Sequence, residues 1–262
     1  MPDAAAALAG GPHALALALV QARASGEALS AAAWSGAVGN AEQAYALQDE
    51  VAQLLGWLGA EPAQYWKSGG ASRQATLTHA VLAPGGVRSS PANLQAYPLS
   101  TRAVEAEIAL RLGQSVSPQL AASLSPAQAE ALVDACAVAI EVVDSRWLEG
   151  AAAAALLRLA DAQSHGALVL GAWQPYLRRD WAAQLCQVSI SDGRVVNATG
   201  THPLGEPAWL LCNWLRHATR HGGTLASGSV VTTGSWVGML GVQAGDLVRV
   251  MFDGIGSAEL QL

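Results

Sequence analysis

Lysine occurs once in the 262-residue chain, at Lys67, and phenylalanine once, at Phe252. The other 13 of the 14 basic residues are arginines. They are dispersed, so no cluster could neutralise a run of phosphates. With 20 acidic residues and a net charge of −6, the expectation is that nucleic acid is not a partner. Cysteine is also scarce. Cys136, Cys186 and Cys212 are odd in number, far apart and set among apolar neighbours, which argues against a disulfide framework or a zinc motif and for reduced, buried thiols. Charged residues are only 13% of the chain, yet no apolar run reaches the roughly 18 residues of a membrane span. The stretch Ala14 to Val20 followed by Ala22-Arg23-Ala24 has the outline of a secretory signal, but Asp3 stands where a basic start is needed. These features predict an N-terminal helix and a cytoplasmic protein that engages no membrane.

What is present is uneven along the chain. Residues 1 to about 60 are rich in Ala and Leu at helical spacing, and Asn40 reads as the N-cap of a helix beginning Ala41-Glu42-Gln43. Gly, Pro and Ser between about 68 and 98 predict loops. Alternating or β-branched segments then predict strands at 104–112, 137–143, 167–170, 187–190, 230–233 and 247–252. Helices are predicted from Ser125-Pro126 through about Cys136, over 148–159 and over 207–221, the last with Trp209, Leu210, Trp214 and Leu215 on one face. The Gly-rich stretches 241–246 and 253–257 lack the strand-to-helix setting of a phosphate loop and read as hairpin turns. The pattern predicts an α+β chain: a helical region over 1–70 and a β-rich body over 71–262.

Three carboxylates stand out. On a strand, Glu105 and Glu107 point to one face while Val104, Ala106 and Ile108 line the other. Adjacent carboxylates repel, so such a pair sits either on a solvated strand or beside a cation. Glu141 lies inside the apolar run Ala137 to Val143, where an ionised group is unfavourable unless paired or ligating. Its readings are an ion pair with Arg146, or an all-oxygen site with Glu105 and Glu107 suited to Mg²⁺ or Mn²⁺. Lys67 sits between Trp66 and a Gly-Gly loop. A chain that otherwise uses Arg keeps its one Lys either by chance or where an amine must change protonation state. The histidines do not group: His165 and His202 lie in loop-like sequence, His217 and His221 read as a solvated helix end, and His79 is either a base or a loop residue. No Gly-x-Ser-x-Gly elbow or catalytic cysteine pattern is present.

The order of these motifs resembles the 2-keto-4-pentenoate hydratase and 2-oxo-3-hexenedioate decarboxylase branch of the fumarylacetoacetate hydrolase superfamily. The matching residues are Ala44-Tyr45-Ala46-Leu47-Gln48, Trp66-Lys67-x-Gly69, Glu105-x-Glu107-Ile108-Ala109 and Ala139 through Arg146. They continue through Ala160-Asp161, Ser164-x-Gly166, Pro207-x-Trp209-Leu210, Leu225-x-Ser227-Gly228, Thr233-Gly234-Ser235 and Gly254-Ile255-Gly256-Ser257. The resemblance implies a mixed β-roll body, homo-oligomeric assembly, and Mg²⁺ or Mn²⁺ held by Glu105, Glu107 and Glu141. It also implies a small 2-oxo or 2-hydroxy acid substrate, with Lys67 and His79 moving protons and Ser72, Ser164, Thr233 and Ser235 facing the substrate.

The activity expected from the resemblance is hydration of a 2-hydroxydienoate such as 2-hydroxypenta-2,4-dienoate, with Lys67 as a base whose pKa burial lowers. The alternatives are decarboxylation or tautomerisation of a 2-oxo diacid, for which Arg73 or Arg88 would reach the distal carboxylate, and a non-catalytic scaffold in complex with a pathway enzyme. Departures from the family pattern gather near the presumed substrate: Ala71 replaces a Thr, the Arg73–His79 stretch lacks an acidic residue, Ala162 replaces a frequent Asn, and His165 stands where a small residue is usual.

Overall fold

In the computed structural model, which describes residues 11–59 and 61–262, two long antiparallel strands form the spine. They are β5 (Ala103–Leu112) and β6 (Val133–Val143). Val104, Ala106, Ile108 and Leu110 of β5 alternate inward with Val138, Ile140 and Val142 of β6, as half-buried strands demand. The spine belongs to a nine-stranded sheet. Its other members are β1 (Tyr65–Gly69), β2 (Thr78–Val81), β3 (Val87–Ser89), β7 (His165–Leu170), β8 (Gln174–Pro175), β11 (Val230–Thr232) and β12 (Leu240–Gly241). The main path runs β2-β1-β11-β5-β6-β7-β3, with β12 paired to β5 and β8 to β6.

A five-stranded sheet covers one face, in the order β10 (Val195–Thr199), β9 (Leu185–Ile190), β13 (Leu247–Phe252), β14 (Gly256–Gln261) and β4 (Ala92–Asn93). Val188, Val248, Val250, Phe252 and Leu260 from this sheet close the core against Ile108, Leu110 and Ile140. The opposite face of β5 and β6 is left for the carboxylates.

The helical region packs separately. α1 (Gly11–Ser25) and α2 (Ala41–Leu54) bury Leu15, Leu19, Leu47 and Val51 against Trp147 and Leu157. Asn40 caps α2 as the sequence predicts, its side chain accepting from the Gln43 N–H at 2.9 Å. A buried ion network ties this region to the body: Arg23 of α1 and Arg146 both donate to Asp161, at 3.1 and 2.6 Å. Arg146 also reaches Asp144 at 3.4 Å. Among the described residues, no helix is long and apolar enough to cross a membrane, and Cys136, Cys186 and Cys212 are free thiols, the last only partly buried.

Several predicted boundaries change. The segment 68–98 is not only loop, since it carries the end of β1 and all of β2, β3 and β4. β1 already belongs to the sheet, so the body begins before residue 71. The helix predicted to run to Cys136 stops as α4 (Pro126–Glu130), which follows α3 (Pro118–Ser123). From Val133 onward the chain pairs with β5, and sheet pairing overrides the helical start signal. The 148–159 helix is broken at Gly150, with φ +55°, into a 3₁₀ turn and α5 (Ala155–Ala160). The last helix is α6 (Leu211–Ala218), entered through a 3₁₀ turn at Pro207–Leu210.

The core-side burial of β5 gives a direct test. Ile108→Ala, which empties a fully buried position on the face away from the carboxylates, lowers unfolding free energy by about 3 kcal/mol, measured as a lowered urea midpoint at unchanged slope.

Candidate active site

Antiparallel register places Glu105 of β5 directly opposite Glu141 of β6. Glu107, two residues on, projects to the same face. One oxygen from each of the three lies within 4.8 Å of the others. Lys67 arrives from β1, which runs parallel to β11, itself paired to β5. Its Nζ donates to Glu141 Oε1 at 2.5 Å and lies 3.4 Å from the Gln163 carbonyl. His165 approaches the same oxygen, Nδ1 at 3.2 Å. A β-bulge between β6 and β7 after Val142 turns this histidine toward Glu141. Glu107 accepts from the Gly234 N–H at 3.1 Å. Gly234 turns at φ +107°, a conformation that favours glycine.

Glu141 Oε2 is buried and has no hydrogen-bond partner among the described residues, although its other oxygen is bonded twice. Buried polar atoms are normally satisfied, so an orphaned oxygen on a carboxylate that clusters with two others marks a place for a cation. Electrostatics agree. Burial opposes charge on Glu141, but Lys67 and His165 outweigh it and hold the carboxyl down to about 2. Glu107 is pushed up to about 8, first by burial and then by Glu141 and Glu105. Burial also raises Glu105. The ammonium of Lys67 is disfavoured by burial, yet Glu141, Glu105 and Glu107 together hold it above its ordinary value. Fully ionised, three carboxylates and one ammonium carry two surplus negative charges. Glu107 responds by holding its proton to about 8 and Glu105 is shifted upward, and a hard divalent cation bound by carboxylate oxygens would neutralise the surplus.

Lys67, Glu105 and Glu107 open into a cleft of about 650 Å³, which Arg102, Arg158, Thr78, Ser164 and Ser235 also line, with Glu141 fully buried behind them. Among the described residues, neither Arg102 nor Arg158 forms an ion pair with a carboxylate; Arg158 donates only to the Ala153 carbonyl, at 3.1 Å.

The structure therefore brings together Lys67, Glu105, Glu107 and Glu141, with Ser164 and Ser235 in the lining. Glu141 does not pair with Arg146, which is committed to Asp161 and Asp144. The other expected residues lie elsewhere. His79 sits opposite Ser68 across the β1–β2 pair, on the strand face away from Lys67. Its Nδ1 bonds Ser68 Oγ at 2.9 Å and its ring stacks on His217 at 4.5 Å. Burial, with Arg220 nearby, lowers it to about 4, so it is a neutral packed histidine at neutral pH. Thr233 is buried and spends its hydroxyl on the Ile108 carbonyl at 2.8 Å. Ser72 is not part of the lining. Arg73 is held by Glu206 at 3.1 Å, and Arg88 is exposed on β3. Three residues escaped the sequence reading, Gln163, Arg102 and Arg158, while His165 was noted only as a departure near the presumed substrate. Only Arg102, three residues before Glu105, carried a local hint.

Residues 62–262 match the fumarylacetoacetate (FAA) hydrolase C-terminal family, and the chain belongs to it. A curated 4-oxalocrotonate decarboxylase from a Pseudomonas species is 31% identical over 155 residues, which are 59% of this chain and 58% of that relative's length. The solved structure of 4-oxalocrotonate decarboxylase from Pseudomonas putida G7, complexed with magnesium and adipate, is similar with a TM-score of 0.80 at 20% identity, covering 95% of both chains. A 2-hydroxyhepta-2,4-diene-1,7-dioate isomerase from Mycobacterium marinum gives 0.53 at 18% identity over 77% of this chain and 75% of its own. The fold expected from the motif order is the fold found.

Native Glu107 keeps its proton to about pH 8, whereas an unfolded glutamate releases it near 4.5. The folded state binds the extra proton between those values, so in metal-free protein the contribution of this carboxyl to stability is lost as pH rises through that window. The buried neutral histidines add a rise with pH that native and variant protein share, so in EDTA at pH 5, 6.5 and 8 the Tm of the native protein falls relative to that of Glu107→Gln.

Proposed function

We propose that the protein is a divalent-cation-dependent decarboxylase of a short, unsaturated 2-oxo dicarboxylate. The observation that carries this reading is one cleft lined by Glu105, Glu107 and Lys67, backed by the buried Glu141 with its orphaned oxygen, and by two guanidiniums with no carboxylate partner among the described residues. The 2-oxo acid end suits the first and the distal carboxylate the second. Relatives named 4-oxalocrotonate decarboxylase, one of them complexed with magnesium and adipate, support it.

When bound by Glu105, Glu107 and Glu141, Mg²⁺ or Mn²⁺ supplies an electrophile that favours negative charge on the C2 oxygen of the substrate. Arg102 and Arg158 present forked donors that fit the distal carboxylate. The bond between that carboxylate and its neighbouring carbon breaks, carbon dioxide leaves, and the electron pair moves through the conjugated system to the C2 oxygen. Lys67, held as an ammonium by Glu141, donates the proton that converts the dienolate to a dienol, and regains it from solvent.

Hydration, the activity favoured by the motifs, asks Lys67 to act as an uncharged amine base next to the attacking water. Lys67 in its carboxylate nest is a proton donor instead, and this favours decarboxylation.

With Mg²⁺ and 2-oxo-3-hexenedioate, carbon dioxide is released; turnover of 2-hydroxypenta-2,4-dienoate without carbon dioxide release from the diacid would instead establish a hydratase. Lys67→Met lowers kcat by about 100-fold or more. Arg102→Ala and Arg158→Ala each raise KM for the diacid by about 10-fold, equivalent to about 1.4 kcal/mol, with kcat nearly unchanged. Calorimetric titration shows Mg²⁺ binding that Glu141→Gln abolishes; a native protein that binds no cation would mark a scaffold.

A further inference from the structure

Three consecutive residues, Ala162, Gln163 and Ser164, have φ values of +49°, +55° and +59°. Among the described residues they are the only non-glycine positions with positive φ. Each side chain's Cβ crowds the backbone in this region, so a run of three persists only where its surroundings over-determine it.

The surroundings are a clamp on one side and the cleft on the other. The clamp is the buried carboxylate of Asp161, which accepts from Arg23 at 3.1 Å, from Arg146 Nε at 2.6 Å and from the Arg146 N–H at 3.1 Å. Arg23 spans the turn. One of its nitrogens bonds Asp161, and the other donates to the His165 carbonyl at 3.2 Å, past the turn's far end. On the cleft side, the Gln163 carbonyl lies 3.4 Å from Lys67 Nζ and its side-chain amide donates to Thr78 Oγ1 at 2.6 Å. The next residue, His165, contacts Glu141.

We infer that this left-handed turn is the positioning element of the site, and that Arg23 of α1 is the positioning residue that keeps it in its strained form. A relaxed turn would swing the Gln163 carbonyl away from Lys67 and rotate His165 off Glu141. The inference rests on the reading that Lys67 and Glu141 are the working groups. It extends the site to a residue outside the 62–262 segment that matches the family, and it gives the N-terminal helical region a part in organising the reactive centre.

Because Lys67 is the only lysine, its accessibility can be read alone. Metal-free protein is treated with an amine-selective methylating reagent, and the peptide containing Lys67 is followed by mass spectrometry. In the native protein the amine is protected. Arg23→Met speeds its labelling several-fold in folded protein. Adding Ala162→Gly to Arg23→Met restores much of the protection, since glycine enters the left-handed region without the clamp. Ala162→Gly alone raises Tm and leaves Lys67 protected. Should Arg23→Met not fold, Arg23→Lys, which keeps the charge and loses the fork, replaces it in both the single and the double variant. Labelling of the Arg23 variant at the native rate, a double variant that labels as fast as the single one, or a lower Tm for Ala162→Gly would each overturn the inference. No substrate or cation enters the measurement, so failure of the proposed reaction leaves its outcome readable.

Discussion

Glu141 is a fully buried carboxylate in the middle of an apolar strand, held ionised by a lysine ammonium 2.5 Å away. Removing a charge from water is expensive, and a single ion pair repays it only with good geometry and further hydrogen bonds. Here the geometry is good on one oxygen and absent on the other, which has no partner among the described residues. The position makes sense only with its neighbours, since Glu105 and Glu107 place two more carboxyl groups beside it, both raised by burial and by repulsion from Glu141, where stability alone would call for none. A site of this kind exchanges stability for function. The rest of the architecture keeps three acids and one amine within reach of each other despite their repulsion.

Strand alternation does most of that. On β5 and β6 the even-numbered side chains, Val104, Ala106, Ile108, Val138 and Ile140, meet the five-stranded sheet in a close-packed core. The odd-numbered ones, Glu105, Glu107 and Glu141, are then directed to the other face with little freedom, because a one-residue slip would expose the core and bury the acids. Below them on that face Ala109, Ala139 and Leu168 form a small apolar floor, which lowers the local dielectric and strengthens the Lys67–Glu141 attraction.

The parts of the site written in local pattern were legible from residues alone. Glu105 and Glu107 follow from period two, Glu141 from a charge inside an apolar run, and Lys67 from being the one amine in an arginine-using chain. What failed depended on register. His79 is near Lys67 in the chain, but the β1–β2 pairing puts it opposite Ser68, on the reverse face. His165 is brought to Glu141 by a bulge that no local composition announces. Arg73 and Arg88 looked equivalent to Arg102 and Arg158 as charges in a sequence; only curvature of the sheet and placement of α5 decide which of them reach the cleft. The helix start at Ser125-Pro126 was correct, yet its end was set by β6 pairing with β5, which is a long-range constraint.

The buried network behind the site differs in kind from the ion pairs on the surface. Arg194–Asp192 and Arg249–Glu259 are well exposed, and pairs of that sort contribute little to stability. Arg23 and Arg146 instead share Asp161 with almost no solvent contact, and Asp144 balances the second positive charge. Burial and the neighbouring Arg146 lower Arg23 only to about 10, so at neutral pH it remains a guanidinium. In such a setting, removal of one partner leaves an uncompensated charge, and the remaining groups must move or admit water. The groups that would move include Asp161, whose backbone leads directly into the left-handed turn. The attachment of the helical region and the geometry at Lys67 are therefore coupled through one carboxylate, although the helices contribute no atom to the carboxylate trio.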